Sequence, residues 1–240
     1  MSKEDLCDNR KKPVKIRHMF GRISKRYDLL NRVMSFGFDI LWRRYLVKKA
    51  DLSEAGMALD SGSGTGDIAL EILKQNPRAR VFAADLTYEM MAAGKEKKGR
   101  KSIEWCQADA ENLPFPDSIF DAVTSGFLAR NVPDIKAMFK EQVRVLKPGC
   151  RLVCLDTSPI PDNLLKPLIL IHYKLIIPVM GLLIAGETNA YKYLPETTIR
   201  FLKPEALAHT LKEAGLVDVK FKSFMLGNIS VHWGTKPPKG

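Results

Sequence analysis

The stretch from Leu59 to Asp67, LDSGSGTGD, carries three glycines at alternate positions, Gly62, Gly64 and Gly66. A short apolar run precedes it, and a segment with helical spacing of apolar residues follows it. Alternate glycines between a strand and a helix let the backbone turn tightly and approach a ligand closely, while the free N–H groups of the helix start face that ligand. Alone the pattern is weak, because a tight corner between a strand and a helix needs no ligand.

Short strand-like runs alternate with helical patterns after residue 56. The runs are Met57–Asp60, Arg80–Ala84, Ile103–Gln107, Ala122–Gly126 and Arg151–Leu155. This alternation predicts β-α-β units and a parallel sheet with helices on both faces. Crossovers of this kind are right-handed, so we predict an α/β fold with a doubly wound, seven-stranded, mostly parallel sheet of Rossmann-like topology, open at its carboxyl edge.

The last part of the chain shows a different order of elements. A helix is predicted over Pro204–Ala214 and strands over Val217–Met225 and Ile229–Trp233. The Gly227-Asn228 pair between the two strands favours a hairpin over a further crossover.

Apolar residues near the beginning of the chain recur at three- and four-residue steps. This periodicity predicts one amphipathic helix over residues 14–35 with a basic opposite face, and a second helix over Ile40–Lys49. We therefore expect residues 1–50 to form a helical extension, residues 51–240 to form the main domain, and residues 160–200 of that domain to cover a substrate.

The composition indicates a basic protein with one sizeable core. The chain has 240 residues, 45% of them hydrophobic, and its 38 Lys and Arg against 27 Asp and Glu give a formal charge of +11. Such a surface attracts polyanions, either nucleic acid or an anionic lipid face. The excess is concentrated in residues 10–49, where thirteen basic residues are opposed only by Asp28 and Asp39.

Several classes of protein are disfavoured by sequence features that the chain lacks. The cysteines are too sparse for a disulfide scaffold and lack the C-x-x-C spacing of a metal knuckle; they are Cys7, Cys106, Cys150 and Cys154. Lysines and prolines interrupt the apolar stretch over residues 164–186, which makes it a poor membrane span. With no secretory signal in the first thirty residues, we expect a protein of the reducing cytoplasm.

Two carboxylates end neighbouring strands. Asp85 ends the run VFAAD at the edge where such sheets bind ligands, and a carboxylate there can accept both ribose hydroxyls of a nucleotide. A nicotinamide enzyme would carry an acid in the same place, so Asp85 indicates a ribose and not a particular cofactor. Asp109 could accept from an adenine amino group while residues 113–115 cover the ring; alternatively, it is a turn residue that caps Asn112.

Together these motifs resemble the class I S-adenosylmethionine-dependent methyltransferases. LDSGSGTGD, AADLTYEMM, ADAENLPFPDSIFDAV, RNVPD and VLKPGCRLVCL stand in the order and spacing of that family. MFGRISKRYDLLNRVMSFGFDILWRR and YKYLPETTIRF narrow the resemblance, over about residues 14–236, to the ubiquinone/menaquinone biosynthesis C-methyltransferases called UbiE or MenG. The resemblance implies that S-adenosyl-L-methionine serves to methylate a ring carbon of a prenylated quinol precursor, with no metal.

The resemblance also implies contacts to the cofactor. Thr65 would touch its methionine part, Asp85 its ribose, and Asp109 with the following residue its adenine. The full set of expected cofactor-binding residues is Asp60, Gly62, Gly64, Thr65, Gly66, Asp85, Leu86, Asp109, Ala110 and Ser125. At Ser125 the chain departs from the SFGLRNV pattern of the family, because SGFLARNV aligned without a gap places Gly126 there.

Methylation at carbon needs a quinol ring that has lost a phenolic proton. The methyl sulfonium is already a strong electrophile, so the protein mainly aligns the reactants and helps the proton leave. Arg130 and Asn131 could stabilise the phenolate or orient a water that takes the proton, although Arg130 could equally form a structural ion pair with Asp134. The expected substrate pocket consists of Phe20, Tyr27, Phe127, Tyr191 and Tyr193.

A prenylated substrate implies access to a membrane. The basic helix predicted over residues 14–35 could lie on anionic lipid while its apolar side lines the entry, but core packing with a solvated charged face explains the same pattern. We expect a cytoplasmic protein, peripheral on the inner face of the membrane, with no nucleic-acid partner, and we leave a homodimer open. A methyltransferase for RNA or another small molecule and a non-catalytic, cofactor-binding scaffold of a quinone-synthesis complex are the alternatives.

Overall fold

The computed structural model describes residues 12–99, 101–160, 166–171, 175, 179 and 197–238. Two predicted pocket residues, Tyr191 and Tyr193, lie outside the described residues. So does most of the segment over residues 160–200 that is expected to lie over the substrate. Within the described ranges, no helix combines the length and the apolar content that crossing a membrane requires.

Seven strands form one sheet in the order β3-β2-β1-β4-β5-β7-β6. Their bounds are Met57–Ser61 for β1, Arg80–Asp85 for β2, Ile103–Gln107 for β3, Phe120–Gly126 for β4, Leu146–Thr157 for β5, Val217–Phe224 for β6 and Ile229–Thr235 for β7. Strands β1 to β5 pair in parallel, whereas β7 runs antiparallel between β5 and β6. The predicted doubly wound sheet with a C-terminal hairpin is confirmed. Its order reverses between β1 and β4, where such sheets open a ligand crevice.

Eight named helices pack around this sheet in the described part of the chain. They are α1 Lys12–Ile23, α2 Tyr27–Met34, α3 Phe38–Ala50, α4 Asp67–Gln75, α5 Tyr88–Lys95, α6 Ile135–Val145, α7 Lys166–Ile171 and α8 Pro204–Glu213. We call α1, α2 and the turn between them, residues 12–34, the cover. The predicted single helix over residues 14–35 is wrong, because a 3-10 turn at Ser24–Arg26 separates α1 from α2. Periodicity could not reveal the break, since apolar residues keep helical spacing across it.

Two apolar cores fill the two faces of the sheet. On one face α3 and α4 pack through residues such as Leu46 and Ile72 against Val81 and Val153. On the other face α6 and α8 pack against alternate residues of the same strands, and Phe139 and Leu207 belong to that core. A smaller cluster within the cover consists of Met19, Ile23 and Leu30, with Ile160 and Ile169 packed against it. The apolar side of the cover is thus largely buried in the protein itself.

The buried His232 of β7 makes the stability of this fold depend on pH. Its Nε2 lies 2.9 Å from the carbonyl oxygen of Pro204, and burial lowers the pKa of His232 to about 4. In the unfolded chain the imidazole titrates near 6.5, so between these pH values the unfolded chain binds more protons than the native one. The contribution of neutral His232 to native stability is therefore complete above about pH 6.5 and is lost as the pH falls toward 4.

We predict that the free energy of unfolding falls by about 2 kcal/mol between pH 7 and pH 5 through this histidine alone. Urea denaturation of the wild type and of His232→Gln at both pH values isolates this contribution, because other groups such as Asp60 change both proteins alike; the change from pH 7 to pH 5 should differ between the two proteins by about 2 kcal/mol. The exposed His209 of α8 provides the matched control, so His209→Gln should keep the slope. An unchanged slope in His232→Gln would contradict the prediction.

Candidate active site

A cavity opens at the carboxyl edge of the sheet, beside the reversal of strand order between β1 and β4. Its empty volume is about 790 Å³, the open mouth included. One wall comes from the glycine loop and the ends of β2, β3 and β4, and the opposite wall from the cover. The lining residues are Ile16, Arg17, Phe20, Tyr27, Gly62, Gly64, Asp85, Leu86, Thr87, Met90, Ala108, Asp109, Ala110, Gly126, Phe127, Leu128, Asn131, Val132 and Pro133.

The glycine loop follows β1 directly and leads into α4. Gly64 and Gly66 have φ angles of +56° and +81°, a left-handed conformation that residues with a side chain rarely adopt. A Cβ atom on Gly66 would lie 2.6 Å from the ring of Trp105, closer than any real contact. The sequence therefore needs glycine here for both conformation and space, and the loop backbone borders the cavity at Gly62 and Gly64.

Asp85, at the end of β2, is fixed by two backbone N–H groups. The N–H of Gly64 donates to one carboxylate oxygen and the N–H of Thr87 to the other, each at 2.7 Å. Burial raises the pKa of Asp85, while these two hydrogen bonds favour the ionised form and oppose that shift. A carboxylate offers about four lone pairs, so Asp85 keeps capacity to accept hydroxyl donors within the cavity.

Asp109 forms the turn that the sequence suggested and also lines the cavity. It lies on the cavity wall just after β3, and its side chain is exposed. Its Oδ1 accepts the N–H of Glu111 at 2.9 Å, and its carbonyl oxygen accepts the N–H of Asn112 at 3.0 Å. The turn holds the carboxylate at the mouth of the cavity, with a second oxygen available to a ligand.

Four of the predicted cofactor-binding residues, all within the described ranges, are not part of the cavity wall: Asp60, Thr65, Gly66 and Ser125. Asp60 is buried below the loop, where its carboxylate accepts the N–H of Ala69 and the hydroxyl of Thr124, both at 3.1 Å. Burial raises the pKa of Asp60 to about 7. Its contacts are those of a group that braces the loop from behind.

Gly126 lines the cavity at the position where the family pattern has serine. Ser125 of β4 is fully buried and is not among the residues that line the cavity. A Cβ atom on Gly126 would lie 2.4 Å from the terminal methyl carbon of Ile68, so a side chain would fit there only if the Ile68 side chain moved. Gly126, the last residue of β4, therefore borders the cavity with backbone alone.

The cover is tied to the glycine loop by Asp28 of α2. Its carboxylate accepts a hydrogen bond from the Thr65 hydroxyl and pairs with the ammonium of Lys97, which follows α5. Thr65 is only 2% exposed, and its hydroxyl is engaged by the cover. Sequence reasoning missed Asp28 and Lys97, and no local pattern could have found them, since they lie 37 and 32 positions from Thr65.

Arg130 and Asn131 occupy different places relative to the cavity. Asn131 lies on the wall and donates from its side-chain amide to the carbonyl oxygen of Phe127 at 2.8 Å. Arg130 lies behind the wall, where its guanidinium pairs with the buried Asp156 at the end of β5 and stands 5.3 Å from the Phe127 ring. The alternative pairing with Asp134 is wrong, because that carboxylate caps the start of α6.

The predicted substrate-pocket residues of the described chain all line the cavity. Phe20 and Tyr27 come from the cover and Phe127 from the loop after β4, whereas Tyr191 and Tyr193 lie outside the described residues. The rings of Phe20 and Tyr27 meet edge to face, with centroids 5.8 Å apart. Burial raises the pKa of the Tyr27 phenol, so this group keeps its proton at neutral pH and can donate it in a hydrogen bond.

Gly94 of α5 is a second determinant of the site that sequence reasoning missed. A Cβ atom there would lie 2.6 Å from the carbonyl oxygen of Thr65 and 2.6 Å from the ring of Trp105. The absence of a side chain therefore lets α5 press against the glycine loop. A glycine inside a helix costs about 1 kcal/mol relative to alanine. Its presence in the helical segment YEMMAAGK was therefore the one sign in the sequence that this position needs to lack a side chain.

We predict that Gly94→Ala destabilises the protein by about 1–3 kcal/mol, because the added methyl group collides with backbone that cannot move alone. Gly21→Ala in α1 is the matched control, since its Cβ would lie 3.5 Å from the flexible Glu89 side chain, an ordinary contact. The control should be neutral or stabilising, as alanine favours the helix. Urea denaturation of both variants measures the difference, and equal effects would refute the close approach.

The comparisons with known proteins agree over nearly the whole chain. A sequence model described as the ubiE/COQ5 methyltransferase family matches residues 8–236. The ubiquinone/menaquinone biosynthesis C-methyltransferase UbiE of Desulfotalea psychrophila is 44% identical over 221 residues, which cover 92% of this chain and 90% of the relative. The demethylmenaquinone methyltransferase of Thermus thermophilus is 40% identical, with 91% and 100% covered, and that of Staphylococcus aureus is 36% identical, with 96% and 97% covered.

Solved structures share the fold at much lower identity. A possible histamine N-methyltransferase from Thermotoga maritima superposes with a TM-score of 0.65 at 22% identity, covering 91% of this chain and 98% of its own. The [4+2]-cyclase SpnF superposes with a TM-score of 0.65 at 16% identity, covering 93% and 96%. Since one of these neighbours is named a cyclase, the likeness carries the fold and not the reaction. The family match and the sequence relatives go further, and they place this chain in the ubiE/COQ5 methyltransferase family.

Proposed function

We propose that this methyltransferase transfers the methyl group of S-adenosyl-L-methionine to a ring carbon of a prenylated quinol, in a reaction of the demethylmenaquinol-to-menaquinol type. The observation that carries the proposal is one cavity with two unlike sides. Carboxylates and bare backbone come from the glycine loop and the ends of β2 and β3, whereas aromatic and aliphatic groups come from the cover and from the residues after β4. The sequence relatives are named for this class of reaction.

The polar side of the cavity suits the parts of the cofactor. Asp85 would accept the ribose hydroxyls, and Asp109 with Ala110 would bind the adenine, whose faces the neighbouring Leu86 would cover. The backbone at Gly62 and Gly64 allows the methionine part to approach closely. Bound there, the cofactor supplies an electrophilic methyl group on a positively charged sulfur. The two carboxylates on the wall favour that charge, against a single wall cation, Arg17.

The apolar side suits a quinol ring and the beginning of its tail. Phe20 and Phe127 offer flat faces for the ring, and Leu128 and Val132 extend the apolar wall. The Tyr27 phenol stands among them as a hydrogen-bond donor to a ring oxygen. Alignment of the acceptor beside the donor is the main task of the protein, because orientation alone removes much of the barrier between two bound reactants.

Loss of a phenolic proton makes the ring carbon nucleophilic, and the residues after β4 are placed to promote it. Asn131 reaches the cavity and can orient the phenolic oxygen or a water beside it. Arg130 contributes positive charge from behind the wall, although its pair with Asp156 offsets part of that charge. In this arrangement Asn131 contacts the reactants, and Arg130 acts by holding the Phe127 loop and by its field.

The membrane provides the acceptor in this proposal. A quinol with a polyprenyl tail partitions into lipid, so the enzyme must work at the membrane surface, on the cytoplasmic face. The cover, with its basic residues and its apolar contribution to the cavity, is the element through which the substrate would enter. The absence of a nucleic-acid partner, the boundary at residue 50 and the covering of the substrate by residues 160–200 stay predictions, and the homodimer stays open.

Mass spectrometry of quinones from cells that lack this protein tests the proposed reaction. We expect a demethylated menaquinone or ubiquinone precursor to accumulate, and the wild-type gene to restore the methylated product. The mass of the accumulated compound also identifies the ring and the tail. A normal quinone pool would contradict the proposal, and restoration by a variant that cannot bind the cofactor would indicate a scaffold in place of an enzyme.

We predict that Asp85→Asn weakens binding of S-adenosyl-L-methionine about tenfold to hundredfold, because hydrogen bonds to an ionised acceptor contribute about 1.5–3 kcal/mol. Isothermal titration calorimetry measures the affinity. Asp218→Asn is the matched control: this exposed residue is the second of β6 and has a φ of +50°, which asparagine also adopts. Equal affinities of the two variants would show that Asp85 does not bind the ribose.

A further inference from the structure

Exposed apolar side chains are concentrated around the turn that joins α2 to α3. Five large apolar residues with exposed side chains fall within residues 29–41, and they are Leu29, Phe36, Phe38, Ile40 and Leu41. Phe36 is 68% exposed and Phe38 is 46% exposed. Single exposed apolar residues are ordinary on a protein surface, but a cluster of this kind marks an interaction site.

The turn holds its two phenylalanines outward in a strained conformation. Phe36 has a φ of +51° and Gly37 a φ of +78°. The left-handed region suits glycine but is rare for a bulky residue. Such strain persists only where the surroundings impose it, and it is common at functional sites.

A buried polar cluster under the turn imposes this conformation. Asp39 is only 2% exposed; it accepts the Ser35 hydroxyl at 3.0 Å and pairs with Arg43 and, at 3.2 Å, with Arg32. These contacts tie both ends of the turn to the helices on either side. The exposed rings of Phe36 and Phe38 are therefore carried on a fixed support.

Basic residues follow the apolar ones along the outer face of α3. Leu41, Arg44 and Lys48 are all exposed, and their spacing of three and four residues places them on one face of the helix. The apolar residues lie at the beginning of that face and the cations further along it. Residues 12–50 hold eleven Lys and Arg against two acidic residues, so the potential around the turn is strongly positive.

The turn lies at the same edge of the sheet as the cavity. Arg43, one helical turn into α3, lies 3.7 Å from Asp67, which begins α4 directly after the glycine loop. The preceding helix α2 contributes Tyr27 to the cavity wall and Asp28 to the contact with Thr65. A surface that held Phe36 and Phe38 would thus face the side of the protein on which the cavity opens.

We propose that Phe36, Phe38 and Leu41 insert into the surface of an anionic lipid bilayer while Arg44 and Lys48 contact its headgroups. An apolar tip with cations behind it matches the order of a bilayer, hydrocarbon within and phosphate outside. The purpose of this contact rests on the proposed function: it brings the cavity to the membrane that dissolves the prenylated acceptor. This proposal assigns the membrane contact to the turn after the cover, whereas the sequence predicted it for the basic face of the cover itself.

Sedimentation with phospholipid vesicles tests the proposal. The wild type should bind vesicles of phosphatidylglycerol and phosphatidylcholine, and Phe36→Ser/Phe38→Ser should bind them at least tenfold more weakly. Val217→Ser is the matched control, because Val217 is 44% exposed and begins the outermost strand β6, at the end of the sheet away from the cavity. This variant should bind vesicles as the wild type does. Arg44→Glu/Lys48→Glu should also bind at least tenfold more weakly. Wild-type binding that the phenylalanine substitutions leave intact would overturn the proposal.

A second measurement reports insertion directly. Phe36→Trp should give tryptophan fluorescence that brominated lipids quench, whereas Val217→Trp should add no quenching beyond that of the native tryptophans. Absence of extra quenching from position 36 would overturn the proposal. So would a wild type that ignores vesicles but forms a dimer by light scattering, with Phe36→Ser/Phe38→Ser monomeric, since the turn would then bind a second copy.

Turnover of a short-tailed quinol in solution separates this inference from the proposed function. The tip variants should methylate that substrate at the wild-type rate, because they change no residue of the cavity wall. Normal turnover with unaltered vesicle binding would refute the membrane contact alone. A wild type that lacks turnover would refute the proposed reaction, whatever the vesicles show.

Discussion

The hydrogen bond from the Gly64 N–H to the Asp85 carboxylate joins the two turns on which the site depends. One turn follows β1 and the other follows β2, and the bond fixes their separation at the edge of the sheet. Alternate glycines allow the first turn, and Gly94 lets α5 close on it from the side. The cavity therefore owes its polar wall to backbone geometry, which leaves the Asp85 carboxylate held in place before any ligand arrives.

The opposite wall depends on the cover. Its apolar side chains form a small cluster of their own, and Asp28 ties it to the glycine loop and to Lys97. In the proposed reaction, a cofactor bound against the loop and an acceptor bound against the cover would share one cavity and would displace water from it. In the proposed reaction, exclusion of water would strengthen the electrostatic contribution of Arg130 and Asn131 to the loss of a proton.

Patterns among residues close in sequence predicted the strands, the sheet and the glycine loop. The strands and the sheet order follow from the alternation of elements, and the glycine loop with Asp85 follows from residues close in sequence. The break at Ser24–Arg26 was missed because apolar spacing continues through it. Contacts between distant segments were missed for a different reason: Arg130 pairs with Asp156, 26 positions away, and no periodicity selects it over the nearer Asp134.

The fixed turn at Phe36 also governs how this protein behaves at high concentration. A formal charge of +11 keeps the molecules apart in dilute buffer. Added salt shortens the reach of that repulsion to about 10 Å at 0.1 M, while the exposed rings attract one another as strongly as before. Moderate salt, which keeps many proteins in solution, would here promote aggregation. A mild detergent that covers the exposed rings would be the better additive for purification and crystal growth.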